Sequence, residues 1–173
     1  MKYSTFIPVV LLSLTSGNVL ADDIICKHIS GNIAQSIPDP ACHILESKSK
    51  HFSDVTFVVE NYPQAPDVCF SGQLTAILGK DKTPIIGTSY SGITINGIGQ
   101  LTGATVIRLN AGNVSLGQVY TKDMIIDPLG NTSEALTMVD GSKTFKGGHG
   151  SFEIVGNTLY ETARFTGMIC TQN

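Results

Sequence analysis

Apolar residues come in short runs that alternate with polar positions and are separated by Gly, Asn, Asp or Pro. The runs are rich in Val, Ile, Thr, Tyr and Phe, the residues that fit a pleated, half-buried surface. A helical period is nearly absent. Eight strands are predicted in succession: Ile25–Ser36, Val68–Leu78, Pro84–Ile95, Leu101–Leu109, Val114–Ile126, Glu134–Val139, Ser151–Gly156 and Leu159–Ile169. Turn chemistry separates them, as at Asn96-Gly97, Asn110-Ala111-Gly112, Pro128-Leu129-Gly130 and Gly156-Asn157.

Short turns in strict succession imply an antiparallel meander. Eight is also the strand number that closes a small barrel. Closure removes the unpaired edges that would otherwise invite aggregation. The predicted fold is therefore all-β, an eight-stranded antiparallel up-and-down β-barrel, with one long loop at about 37–67. A two-sheet sandwich is the rival, but it usually needs several long crossovers. The long loop holds a further strand-like stretch at 53–61 and a Pro-rich end at 62–66. In Leu101–Leu109 one parity carries Leu101, Gly103, Thr105, Ile107 and Leu109, and the other Thr102, Ala104, Val106 and Arg108. Neither face is strongly charged, as in a barrel wall or in a sheet covered by loops.

The start of the chain follows a different pattern. Lys2 precedes an apolar run, Phe6–Leu14, and Val19-Leu20-Ala21 presents a small-residue cleavage site. Residues 1–21 thus read as a secretory signal peptide cut after Ala21, its apolar run Phe6–Leu14 being too short for a membrane span of about 20 residues. Residues 22–173 then form a single domain, large enough for one core. All 14 acids and ten of the 11 Lys and Arg lie in it, so its net charge is −4, with no basic stripe. Nucleic acid is excluded as a partner on that ground, and membrane insertion is not expected. A secreted or periplasmic location follows, and the oligomeric state is left open. Four cysteines, Cys26, Cys42, Cys69 and Cys170, without a C-x-x-C pair, read as two disulfides in an exported chain. Spacing alone leaves all three pairings open.

The stretch DGSKTFKGGHGSF, from Asp140, packs glycines 141, 147, 148 and 150 and two phenylalanines, Phe145 and Phe152, into thirteen residues. A phosphate cradle would need a helix after it, and strands follow instead. A metal site would need converging ligands, yet His149 is the only histidine there and His28, His43 and His51 are scattered. No metal or cofactor is expected. Glycines in strands mark bulges, bends or close backbone approach, with Phe145 and Phe152 as core anchors on either side.

The same stretch resembles the G-G-T/S-G-x-F-x-G-A-x-G signature of the allene oxide cyclase and dirigent barrel superfamily. Gly141, Ser142, Phe145, Gly147 and Gly150 match it, and Gly148 stands where a small residue is usual. Asp140 and Lys143 replace two glycines of the pattern, and His149 falls at a variable position. GQVYTKDMIID, ARFTGMIC, CKHISGNI and CFSGQLT are similar to small secreted bacterial proteins of this type. The resemblance implies an eight-stranded barrel. If its first and last strands close against each other, it also implies Cys26–Cys170 and Cys42–Cys69. The alternative is Cys26–Cys42 with Cys69–Cys170. The cyclases bind an unsaturated fatty-acid epoxide in an apolar cavity, and dirigent proteins steer phenolic radical coupling. The matched positions are structural and carry over no catalytic residues.

Chemistry is otherwise sparse. There is no G-x-S-x-G elbow and no free thiol is expected. Asp123 and Asp127 share strand parity near a turn and read as solvated surface. Isolated charges in apolar strands are the remaining candidates, because a charge inside a barrel would be costly without a role. Arg108, Glu161 and Arg164 are the lumen candidates, and Glu153 is a further isolated charge; each could equally point to water. Three readings follow: a non-enzymatic barrel binding a small apolar ligand or a protein, a cyclase-like or stereocontrolling enzyme, and a structural envelope or matrix component. Sequons at Asn113 and Asn131 would matter only in a glycosylating host.

Overall fold

The computed structural model describes residues 23–47, 68–95, 101–126, 133–158 and 160–172. The expected signal peptide, the stretch 53–61, the Pro-rich 62–66, the turns at 96–97 and 128–130, Asp127 and Asn131 lie outside them. Nine strands are present: β1 (Ile24–Ile33), β2 (Ile37–Pro38), β3 (Val68–Leu78), β4 (Thr83–Ile95), β5 (Leu101–Ala111), β6 (Val114–Ile126), β7 (Ser133–Gly141), β8 (His149–Val155) and β9 (Ala163–Gln172). Two 3-10 turns, His43–Ser47 and Lys143–Phe145, accompany them, and the described residues contain no α-helix.

All pairings are antiparallel. From β3 to β9 each strand pairs with the next. β1 pairs with β9 over its whole length and with β3 through Ile29–Ile33. That double pairing closes an eight-stranded barrel, and two-residue β2 adds to the edge of β3. The expected strands are all found. The last begins at Ala163 rather than Leu159, and the first ends at Ile33, where Ala34 and Ser36 turn to bond Gln73 and Thr158.

Both predicted disulfides of the seam-closing arrangement form: Cys26 bonds Cys170, its direct partner across β1–β9, and Cys42 bonds Cys69. The second tether holds the 3-10 turn His43–Ser47 against the outer wall. Ile44 there packs with Ala104, Val106 and Tyr120, which accounts for the apolar second face of β5. Asp39 anchors the turn: it accepts from the His43 backbone N–H at 2.8 Å and from His43 Nδ1 at 2.7 Å. Burial opposes its ionisation, but these donors, the nearby His43 ring and the Ala41 N–H hold its carboxyl below the usual range.

The inward parity builds the main core. Ile29, Leu74, Ile85, Leu109, Val119, Phe152 and Phe165 are buried there, with the last two rings stacked 5.3 Å apart. The glycine-rich stretch folds across one end of this core. Its 3-10 turn packs on β6, β7 and β9 and inserts Phe145, which is 2% exposed. Asp140 closes the loop, its Oδ1 accepting from the N–H groups of Gly141 (2.6 Å) and Gly147 (3.1 Å). Ser142 locks it to β6, donating its N–H to the Gln118 carbonyl and accepting the Gln118 N–H on Oγ, both at 2.9 Å. The stretch is thus a barrel end-plug.

Two of its glycines answer to different constraints. A Cβ on Gly150 would sit 2.1 Å from the Met168 carbonyl oxygen, whereas Gly147 has open space but a φ of +68°. Gly150→Ala should therefore cost about 3 kcal/mol, the top of the usual overpacking range. Gly147→Ala should cost only about 1–2 kcal/mol, the left-handed penalty. Urea denaturation of both variants checks this; equal losses would refute the assignment of close approach to Gly150.

Candidate functional site

The plug fills one end of the lumen. At the other end, where β4 finishes and β5 begins, the packing leaves a cavity of about 70 Å³. Ile33, Phe70, Ile93, Ile125, Ile154 and Phe165 supply an apolar wall from six strands. The cavity lies well below the ~300 Å³ at which pockets for drug-sized ligands begin, so its occupant is small. Polar groups gather on one side: Ser89 and Ser91 of β4, Thr105 of β5 and Glu134 of β7.

Behind Thr105 lies Asp123, 4% exposed. It is on β6 at the inward parity of Val119, Thr121 and Ile125. The Thr105 hydroxyl donates to its Oδ2 at 2.5 Å and the Thr121 hydroxyl to its Oδ1 at 2.6 Å. Because Thr105 spends its proton on Asp123, Ser91 is the donor in the 2.8 Å contact between Ser91 and Thr105. A hydroxyl relay therefore runs from the cavity wall to a buried carboxylate, whose oxygens both accept. Burial raises the proton affinity of Asp123 to about 6, against the pull of the two hydroxyl donors.

Glu134 begins β7, pairing with Ile125 and diagonal to Asp123, which faces Leu136. It is half-buried, and its carboxyl makes no hydrogen bond among the described residues. Burial, reinforced by the negative charge of Asp123, pushes its carboxyl up to about 8. The two groups titrate as a pair, both displaced by burial toward the protonated form. The cavity thus presents one carboxyl, Glu134, with a second, Asp123, held behind its wall by two hydroxyl donors.

The residues singled out from sequence are placed elsewhere. Glu161 is exposed in the β8–β9 connection, and Arg164 and Glu153 are exposed on the outer wall. Arg108 also points outward, its guanidinium 4.8 Å over the Tyr90 ring, which lies 5.4 Å from the ring of His43. Its Nε is buried with no hydrogen-bond partner among the described residues. None of the three lumen candidates lines the cavity. Asp123, read as solvated surface, is instead inside the barrel. The signal for both acids was parity: Thr121, Asp123 and Ile125 share one face, and so do Glu134, Leu136 and Met138. Among the described residues no cluster of three His, Cys, Asp or Glu could hold a metal ion. No described helix is long and apolar enough to cross a membrane.

No family model matches the chain, and neither a curated protein nor a solved structure matches it.

Proposed function

We propose that this chain is an exported barrel, of the allene oxide cyclase and dirigent type, that binds a small and largely apolar ligand in the open half of its lumen. The observation that carries the reading is the cavity itself: an apolar wall with one cluster of polar groups on one side, the usual make-up of a small-molecule site. Export is supported by the segment 1–21 and by two disulfides, which persist in oxidising compartments. The matched glycine signature supports the barrel type.

A second reading rests on the Asp123–Glu134 pair. Two carboxyls with separated proton affinities can give and take a proton, so a bound ligand could be isomerised rather than only held.

Native mass spectrometry of the chain, exported through an oxidising compartment, tests the first reading. A small adduct lost on denaturation is expected, and Ile125→Phe, which fills the cavity, should abolish it. A protein that stays ligand-free in the presence of small cyclic hydrocarbons and alcohols would refute lumen binding. Recovery of a changed ligand, lost in Glu134→Gln, would favour the second reading.

A further inference from the structure

Among the described residues the acidic charge in the lumen meets no basic side chain. Glu134 brings a carboxyl to one side of the cavity, with that of Asp123 behind Thr105. Every other lining residue is aliphatic, aromatic, hydroxyl or amide: Ile33 from β1, Phe70 from β3, the serines of β4, Thr105 from β5, Ile154 from β8, Phe165 from β9, and Asn157 and Thr158 between β8 and β9. No Lys, Arg or His lines it among the described residues. Lys122, Glu153 and Arg164 sit on the opposite, outward parity of their strands.

The two acids are not equivalent. Asp123 is fully engaged by Thr105 and Thr121. Glu134 lines the cavity and its carboxyl is uncommitted among the described residues. An unpaired carboxylate in low dielectric is costly, and it escapes that cost either by keeping a proton or by meeting a cation. A closely fitting cation gains a charge-assisted hydrogen bond in a site where water competes poorly.

We propose that the cavity takes a small organic ammonium, a primary or secondary amine on a short hydrocarbon body, with Glu134 as its counter-ion. The proposal rests on lumen binding as read above and adds the class of ligand. The hydrocarbon body meets the isoleucines and phenylalanines, and the N–H groups meet Glu134. The proton balance is explicit. Near neutral pH the ammonium enters with its proton, the Glu134 carboxylic acid releases its own to solvent, and one proton leaves per ligand bound. Ammonium binding therefore tightens as pH rises toward 8 and requires no proton release above it. A neutral alcohol of the same shape accepts from the protonated acid, and its binding weakens over the same range.

Isothermal titration of the chain with cyclohexylamine and cyclohexanol, at about pH 7 and pH 8.5, separates the possibilities. Two buffers of different ionisation enthalpy count the protons. The expected result is cyclohexylamine favoured by about tenfold or more at pH 8.5, equivalent to about 1.4 kcal/mol. Release of roughly one proton per amine is expected near pH 7, where the acid is still protonated. Glu134→Gln should lose the amine preference while still binding cyclohexanol. The proton count is made on the unmodified chain, so it stands even if the variant folds poorly. Cyclohexanol binding without amine preference, or an amine preference that survives Glu134→Gln, overturns the ammonium assignment alone. Failure of both compounds to bind overturns lumen binding as well.

Discussion

Replacing Cys26 and Cys170 by serine should lower the unfolding free energy by roughly 5 kcal/mol, because this bond closes a loop of 144 residues. The chain-entropy treatment gives the Cys42–Cys69 bond, with a separation of 27, roughly 3.5 kcal/mol. A domain of this size holds only about 5–15 kcal/mol in total. Loss of the first bond should therefore bring the barrel close to unfolding at 37 °C, and loss of the second should not. The second removes a different contact: without it the turn carrying Ile44 loses its tether to β3, exposing Val106 and Tyr120 on the outer wall. Chemical denaturation of the two double-serine variants checks the ranking. An intact mass four hydrogens below the fully reduced value confirms both bonds in the unmodified chain. If the Cys42/Cys69 variant were the less stable, seam closure would not be the dominant constraint.

The lumen acids should make the protein less stable as pH rises, the reverse of the usual behaviour of a salt-bridged carboxylate. Glu134 keeps its proton in the folded state up to about 8, against 4.5 as its ordinary value, and Asp123 shifts the same way, to about 6 from 3.8. Between these limits the native state binds more protons than the unfolded chain. Stability therefore falls with increasing pH, fully present below about 4 and lost progressively through about 8. The change is on the order of a few kcal/mol. Asp39 acts oppositely: its lowered value stabilises the fold at higher pH, and that contribution disappears only on acidification through its depressed range. The two windows do not overlap, so urea midpoints at about pH 5 and pH 8.5 isolate the lumen pair. Glu134→Gln should be more stable than the parent at pH 8.5, with a flatter profile. A parent protein equally stable at both values, with an unshifted variant, would contradict the placement of an uncompensated acid pair in the lumen.

The architecture was legible because strand period and turn chemistry are local. Asn110-Ala111-Gly112 and Gly156-Asn157 marked turns that the fold uses, and the two apolar parities of Leu101–Leu109 anticipated a wall covered on both sides. The acid site was less so. A charge inside a barrel was sought among isolated residues in apolar strands, which favoured Arg108, Glu161 and Arg164. Asp123, sharing strand parity with Asp127 near a turn, reads as solvated surface instead. Its inward direction follows from the parity it shares with Val119, Thr121 and Ile125, all buried on β6. A bulge in β7 between Met138 and Asp140 then sets which β7 residues stand opposite it, and no single-strand reading contains that register. The proximity of Glu134 to Asp123 is likewise a property of register between two strands rather than of either one.

The double pairing of β1 carries a consequence for biogenesis. Of its ten residues, five can pair with β3 soon after synthesis, but the full ladder waits for residues 163–172, which follow every other strand. The barrel is thus a fold of high contact order, whose closing step comes last. Until then Cys26 has only Cys42 and Cys69 to pair with. A premature Cys26–Cys42 bond would leave Cys69 for Cys170 and hold the sheet open. Thiol exchange must undo such a bond before the seam can form. Maturation of this chain should accordingly be paced by disulfide isomerisation, and a host that lacks an isomerase should accumulate an open sheet with exposed edges.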